Sequence, residues 1–83
     1  MRDRIEVEFV EADVEMGFTL VDMAAAELGV GNRAAAAEIL ASAEAVFGDI
    51  EERLARLEGK ARTAFEELVR ELRRTIDRGK GAI

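Results

Sequence analysis

The side chains most able to do chemistry in this sequence are carboxylates and guanidinium groups, because its 83 residues include no Cys, His, Trp or Tyr. The usual nucleophilic thiol and the usual general base near neutral pH are therefore missing. The ordinary ligands of zinc, haem and iron–sulfur centres are missing as well. We expect no catalytic residues, no cofactor and no metal, and we predict that the protein is not an enzyme.

Four carboxylates near the N-terminus recur at helical spacing, namely Glu8, Glu11, Glu15 and Asp22. Such a row can bind a divalent metal or a basic protein, or it can face solvent or the arginines of another helix. Di-iron bundles add histidines to their glutamates, and an EF-hand needs a calcium loop with a central glycine. Neither pattern is present. We favour a solvated or internally paired row, with a basic protein partner as the next alternative.

A cluster of basic residues near the C-terminus is a second candidate contact. It consists of Arg70, Arg73, Arg74, Arg78 and Lys80. Cations also suit the C-terminal end of a helix dipole, and neighbouring acidic residues dilute the patch. No aromatic side chain accompanies it for base stacking. Binding of an anionic partner or nucleic acid through the four arginines is therefore the alternative function, and the helix-dipole explanation is favoured.

Residues 29–34 match the G-x-G-x-x-A pattern of dinucleotide-binding proteins, and Asp49 lies near the spacing of the ribose-binding acid. That pattern has meaning only between a strand and a helix of a βαβ unit. Here a helical pattern precedes it, and the chain is too short for a parallel sheet. A turn between two helices explains these glycines better.

The elements that position these groups are predicted to be helices, since the chain has no Pro and is rich in Ala and Glu. A first helix at 5–28 carries two apolar rows in steps of three and four. One row consists of Val7, Val10, Val14, Gly17, Val21, Ala24 and Leu28. The other consists of Ile5, Phe9, Ala12, Met16, Leu20 and Met23. A surface helix needs one stripe, so this helix is expected to have neighbours on two sides.

Two further helices are predicted at 33–58 and 60–78. Gly29 is expected to close the first helix in the left-handed conformation, and Asn32 to cap the second. The apolar rows keep their phase across Gly48 and Gly59. We favour a continuous helix at Gly48 and a break at Gly59, because an unbroken helix over 33–78 would be about 70 Å long and would need an oligomer to cover it.

The sequence therefore predicts an all-α, antiparallel three-helix bundle over 1–83, with a frayed tail at 79–83. Gly17 in mid-helix is expected to mark a close helix crossing. The predicted core consists of Val10, Val14, Gly17, Val21, Leu40, Ala43, Phe47, Ile50, Leu54, Leu68 and Leu72.

Residues 20–43 follow a pattern of large and small residues along two helices and the turn between them. The pattern is carried by Leu20, Met23 and Ala24, by Gly31 in the turn, and by Ala36, Leu40 and Ala43. It resembles one helical hairpin of the tetratricopeptide (TPR) family. The segment departs from the family at Glu27, where an aromatic is usual, and at Gly48, where a Pro is common. The resemblance implies a helical scaffold that binds other proteins, and it identifies no ligand residue.

Function is predicted from the surplus apolar row. We expect a non-enzymatic interaction or self-assembly module that contacts a protein partner or a second copy, as a homodimer or larger. The candidate contact residues are Phe9, Met16, Leu20, Met23 and Phe65.

The formal charge of −6 argues against nucleic acid as the main partner. No apolar run is long enough for a membrane span or a signal peptide, so a cytoplasmic location is expected. The composition is typical of GC-rich bacterial genomes. The glycines within the helices argue against an engineered bundle.

Overall fold

Three helices make up the computed structural model, which describes residues 2–83. They are α1 (Arg2–Gly29), α2 (Arg33–Arg56) and α3 (Gly59–Gly81), and each helix contacts both others. The described chain contains no strand. The bundle measures 45 × 18 × 15 Å, and the 28 residues of α1 account for its length at about 1.5 Å per residue. The predicted all-α three-helix bundle is confirmed.

The turn between α1 and α2 closes on Gly31 rather than on Gly29, so the prediction for Gly29 is wrong. Gly31 has a φ of 80°. Its N–H donates to the carbonyl of Leu28 (3.0 Å), and the N–H of Asn32 donates to the carbonyl of Glu27 (2.8 Å). These two bonds form a Schellman motif, which satisfies carbonyls at the end of α1. Asn32 caps α2 as predicted, because its side-chain oxygen accepts from the N–H of Ala35 at 3.2 Å.

The second connection consists of Leu57 and Glu58, so α2 ends two residues before the predicted boundary. The helix is continuous through Gly48 and the chain breaks before Gly59, as favoured from the sequence. Leu57 is extended, with ψ of 151°, and its side chain is buried. Gly59 opens α3 with φ of 59°, a conformation that glycine adopts at little cost. The buried side chain of Leu57 therefore anchors this connection in the core.

The core lies along the axis between the three helices and is entirely apolar among the described residues. It consists of Val10, Val14, Val21, Ala24, Ala36, Leu40, Ala43, Phe47, Ile50, Leu57, Phe65, Val69, Leu72 and Ile76. Nine of the eleven predicted core positions are buried, counting Gly17. Leu54 is partly buried and packs against this cluster.

The face of α3 that points into the core differs from the predicted one. Phe65, expected at an interface, is only 9% exposed, and Leu68, expected in the core, is 42% exposed. The buried stripe runs through Phe65, Val69, Leu72 and Ile76. Turning this stripe inward covers a phenyl ring, which removes more apolar surface from water than burying Leu68 would.

The predicted frayed tail is wrong for its first residues, because α3 continues to Gly81. The backbone of Gly79 packs against Leu40, where an added Cβ would lie 3.0 Å from Cδ2. Lys80 reaches Glu44 on α2, with 2.7 Å between Nζ and Oε1. These contacts extend the helix past the predicted end at Arg78.

Gly17 marks the close crossing expected of it. A Cβ at this position would lie 2.8 Å from Cδ2 and 3.2 Å from Cδ1 of Leu72 on α3. Leu72 is fully buried, so its side chain has little room to yield. At Gly48, by contrast, a Cβ would meet nothing within 4 Å.

We expect Gly17→Ala to lower the free energy of unfolding and Gly48→Ala to raise it. Both gain helix propensity of about 1 kcal/mol, but only Gly17→Ala forces a buried side chain to move, which costs about 1–3 kcal/mol. Urea unfolding followed by circular dichroism at 222 nm measures both. If Gly17→Ala stabilised as much as Gly48→Ala, the contact with Leu72 would not constrain the bundle.

Candidate protein-interaction face

The side of α1 that faces away from the core remains apolar and open. Ile5, Phe9, Met16 and Met23 are 55%, 48%, 52% and 49% exposed. We call these four residues the outer face of α1. The bundle thus buries most of the apolar row of α1 that contains Val10 and Val14, and it leaves most of the row that contains Phe9 and Met16 in solvent.

The predicted interface residues divide between two environments. Phe9, Met16 and Met23 lie together on the outer face of α1. Leu20 is partly buried and packs against the core. Phe65 is in the core on α3, so it is not available to a partner and its prediction as a contact is corrected.

The outer face has a heptad spacing that the sequence analysis did not use. Phe9, Met16 and Met23 are seven residues apart, and a small exposed side chain follows each of them three residues later, at Ala12, Thr19 and Ala26. A repeat of seven keeps one seam of a helix facing a partner helix. This spacing is visible in the sequence and could have separated the outer face from the core row.

Arg53 of α2 fixes one edge of the outer face. Its Cζ lies 4.5 Å from the centroid of the Phe9 ring. Its Nε lies 3.3 Å from Oδ2 of Asp13, and its Nη1 lies 3.9 Å from Oε2 of Glu6. The two carboxylates offset the charge of Arg53, and the cation–π contact helps to orient the ring.

Acidic side chains border the opposite edge, between α1 and α3. Glu8, Glu11 and Glu15 line a groove of about 330 Å³, together with the apolar Val14 and Leu68.

The carboxylate row is solvated rather than paired with arginines of α3. In the part of the chain whose side chains the structure describes, residues 4–83, no ion pair involves Glu8, Glu11, Glu15 or Asp22. The described residues also contain no group of three or more acidic side chains placed to hold a metal ion.

The C-terminal arginines do not form a free cationic patch. Arg70 pairs with Glu67 at 3.0 Å. Arg74 and Arg78 both reach Glu71, at 2.6 Å and 3.6 Å. Each of these three cations is therefore paired with a carboxylate of its own helix.

Arg73, the fourth predicted anion contact, ties α3 to α2 instead. It donates to both carboxylate oxygens of Glu44 and to Oδ1 of Asp77 (2.7 Å). Its Cζ also lies 4.8 Å from the centroid of the Phe47 ring. Arg73 and Lys80 together lower the pKa of Glu44 from 4.5 to about 2, chiefly through the hydrogen bond from Arg73. The bond to Glu44 raises the pKa of Arg73.

A second surface depression lies beside the Glu44–Lys80 pair. It measures about 420 Å³ and is lined by Ala37, Leu40, Ala41, Glu44, Lys80 and Ile83. Its two charged side chains pair with each other, so it presents no unpaired group for acid–base chemistry.

Comparisons with protein-family models, with curated proteins and with solved structures give no match to this chain. Among residues 2–83, no helix carries an apolar stretch that could cross a bilayer.

We expect the pairing of Glu44 to make stability depend on pH in the acid range. Its pKa is lowered in the folded state, so its stabilising contribution is complete above pH 4.5 and is lost as the pH falls towards 2. Glu44→Gln removes that contribution. The difference in free energy of unfolding between wild type and Glu44→Gln should therefore shrink over this window, as measured by urea unfolding at successive pH values.

The matched control is Glu38→Gln, which removes an exposed carboxylate of the same helix. Among the described residues no ion pair includes Glu38, so this variant tests whether removal of any carboxylate from α2 gives the same result. A difference for Glu44→Gln that matched the one for Glu38→Gln at every pH would show that the contacts with Arg73 and Lys80 do not stabilise the fold.

Proposed function

We propose that this protein is a non-enzymatic protein-interaction module that works through the outer face of α1. The observation that carries the proposal is the continued exposure of Ile5, Phe9, Met16 and Met23 in a bundle whose core is already filled. Contiguous exposed apolar side chains on a small protein are a common mark of a binding surface. Phenylalanine and methionine are also adaptable contact residues.

The remaining features support binding rather than catalysis. The core contains no polar side chain among the described residues, so the interior offers no group to position against a substrate. The resemblance of residues 20–43 to a TPR hairpin implies the same kind of role, a helical scaffold for other proteins. Contact with an anion or nucleic acid is not advanced, since Arg70, Arg73, Arg74 and Arg78 are paired with carboxylates.

The test compares Met16→Glu/Met23→Glu with a matched control, Ala45→Glu/Ala55→Glu. Each variant adds two carboxylates at exposed helical positions, but only the first changes the outer face. We expect the first variant to lose association with its partner, whether another protein or a second copy. Its free energy of unfolding should change by no more than about 1 kcal/mol, as for other surface substitutions.

Two measurements check whether Met16→Glu/Met23→Glu loses association. Size exclusion with light scattering gives the solution mass, with concentration read by refractive index because the chain has no Trp or Tyr. Affinity capture with each variant as bait then compares the proteins recovered. Equal association by both variants, or extensive unfolding of Met16→Glu/Met23→Glu alone, would contradict the proposal.

A further inference from the structure

We infer that the occupant of the outer face of α1 is a basic amphipathic helix, one with apolar residues at heptad spacing and Lys or Arg beside them. This inference rests on the proposed function and adds the chemistry of the partner. It is carried by the charges that border the outer face and by the shape of the face itself.

The outer face has the layout of one strand of a coiled coil. Its seam consists of Ile5, Phe9, Ala12, Met16, Thr19, Met23 and Ala26, all exposed. With Phe9 at heptad position a, the seam fills positions a and d over three heptads. A second helix that lies along α1 would cover this seam by knobs-into-holes packing.

The small side chains in the seam define the shape of the partner. Ala12, Thr19 and Ala26 occupy successive d positions and alternate with the large residues at a. Small residues leave space in the seam beside the large residues at a, so a partner that fills this space supplies large apolar side chains opposite them. A basic helix with leucine or isoleucine at heptad spacing meets that requirement.

The positions that flank the seam select the charge of the partner. The g positions are Glu8, Glu15 and Asp22, all exposed. The e positions are Glu6, Asp13, Leu20 and Glu27. In coiled coils the e and g residues decide which partner is accepted. The g flank of this seam is acidic and exposed, whereas Glu6 and Asp13 on the e flank are partly buried and paired with Arg53. The exposed carboxylates of the g flank therefore select a basic partner.

A second copy of this chain is a poor occupant for the same reason. Helix α1 holds two basic and eight acidic side chains, so it carries the whole formal charge of −6. Two such helices side by side would bring g positions against e positions if parallel, or g against g and e against e if antiparallel. Glu6 and Asp13 at e already pair with Arg53, and no e or g position supplies a cation to the carboxylates of the g positions. In the antiparallel arrangement these carboxylates face one another, and like charges lower the affinity.

The groove between α1 and α3 provides room for the basic side chains. Glu8, Glu11 and Glu15 line this groove together with Val14 and Leu68, and its volume is about 330 Å³. Lysine and arginine bury their alkyl stems on apolar surface and keep the charged end near carboxylates or water. A basic residue that flanks the partner's apolar row fits this groove.

The test uses two synthetic, fluorescently labelled peptides of three heptads. Both have leucine at a and d, and one has lysine at e and g where the other has glutamate. Anisotropy titrations of the full chain should show binding of the lysine peptide that weakens as salt is raised. The glutamate peptide should not bind.

A pair of charge-reversed variants locates the interaction. The flank variant is Glu8→Lys/Glu15→Lys/Asp22→Lys. The control variant is Glu38→Lys/Glu52→Lys/Glu58→Lys, which changes the formal charge equally at exposed positions outside α1.

We expect the flank variant to bind the lysine peptide about tenfold more weakly or worse, where tenfold is about 1.4 kcal/mol, and to gain binding of the glutamate peptide. The control variant should keep the preference for the lysine peptide. Equal weakening in both variants, or no binding of the lysine peptide to the wild type, would overturn the inference.

Two further outcomes separate this inference from the proposed function. If the wild type is a stable dimer that Met16→Glu/Met23→Glu dissociates, the outer face is an interface but its occupant is a second copy. The inference then fails and the proposed function stands. If the uncharged variant Met16→Ser/Met23→Ser binds the lysine peptide as tightly as the wild type does, the outer face is not the contact. That result overturns the inference and removes the support for the proposed function.

Discussion

The contact between Gly17 and Leu72 determines how closely α1 and α3 pack, and the rest of the bundle depends on that distance. A side chain at position 17 would meet Leu72 at 2.8 Å, so only glycine allows this approach. With Leu72 in place, α3 is rotated so that Phe65 and Ile76 point into the core. The same rotation brings Arg73 to Glu44.

The close packing of one side of α1 explains the openness of the other. Three helices around a single axis bury one stripe from each, and α1 carries two. The row with Val10 and Val14 is used in the core, and Gly17 lies within it. The row with Phe9, Met16 and Met23 is therefore left over, and its exposure is a consequence of the architecture rather than of poor packing.

Apolar periodicity was sufficient to predict the number of helices, their approximate ends and most of the core. It could not choose between two neighbouring stripes on α3, because Phe65 and Leu68 both belong to plausible rows and only the packing against α1 and α2 selects one. The glycines and Asn32 identified the connection between α1 and α2. They did not show which glycine ends α1, since Gly29 and Gly31 are equally able to adopt positive φ. The exposed positions of Phe9, Met16 and Met23 agree with the predicted second row, whereas Phe65 was assigned to the surface in error.

Ion pairs between helices were beyond the sequence analysis, because they depend on the final rotation of each helix. Arg53 and Arg73 look alike in the sequence, since each is an arginine of an amphipathic helical segment with acidic residues nearby. In the structure each one covers a phenyl ring and reaches a carboxylate on another helix. Residues three or four apart on one helix are neighbours whatever its rotation, so sequence spacing bears only on pairs within a helix.

The two pairs have a consequence for the handedness of the bundle. Three antiparallel helices can be arranged in two mirror-related ways, with α3 on either side of the hairpin formed by α1 and α2. An apolar core distinguishes these poorly, because both arrangements bury the same stripes. In the mirror-related arrangement the flanks of each helix exchange neighbours, so Arg53 would face α3 instead of Asp13, and Glu44 would face α1 instead of Arg73. Charges at the edge of the core thus select the topology that the core alone leaves undecided.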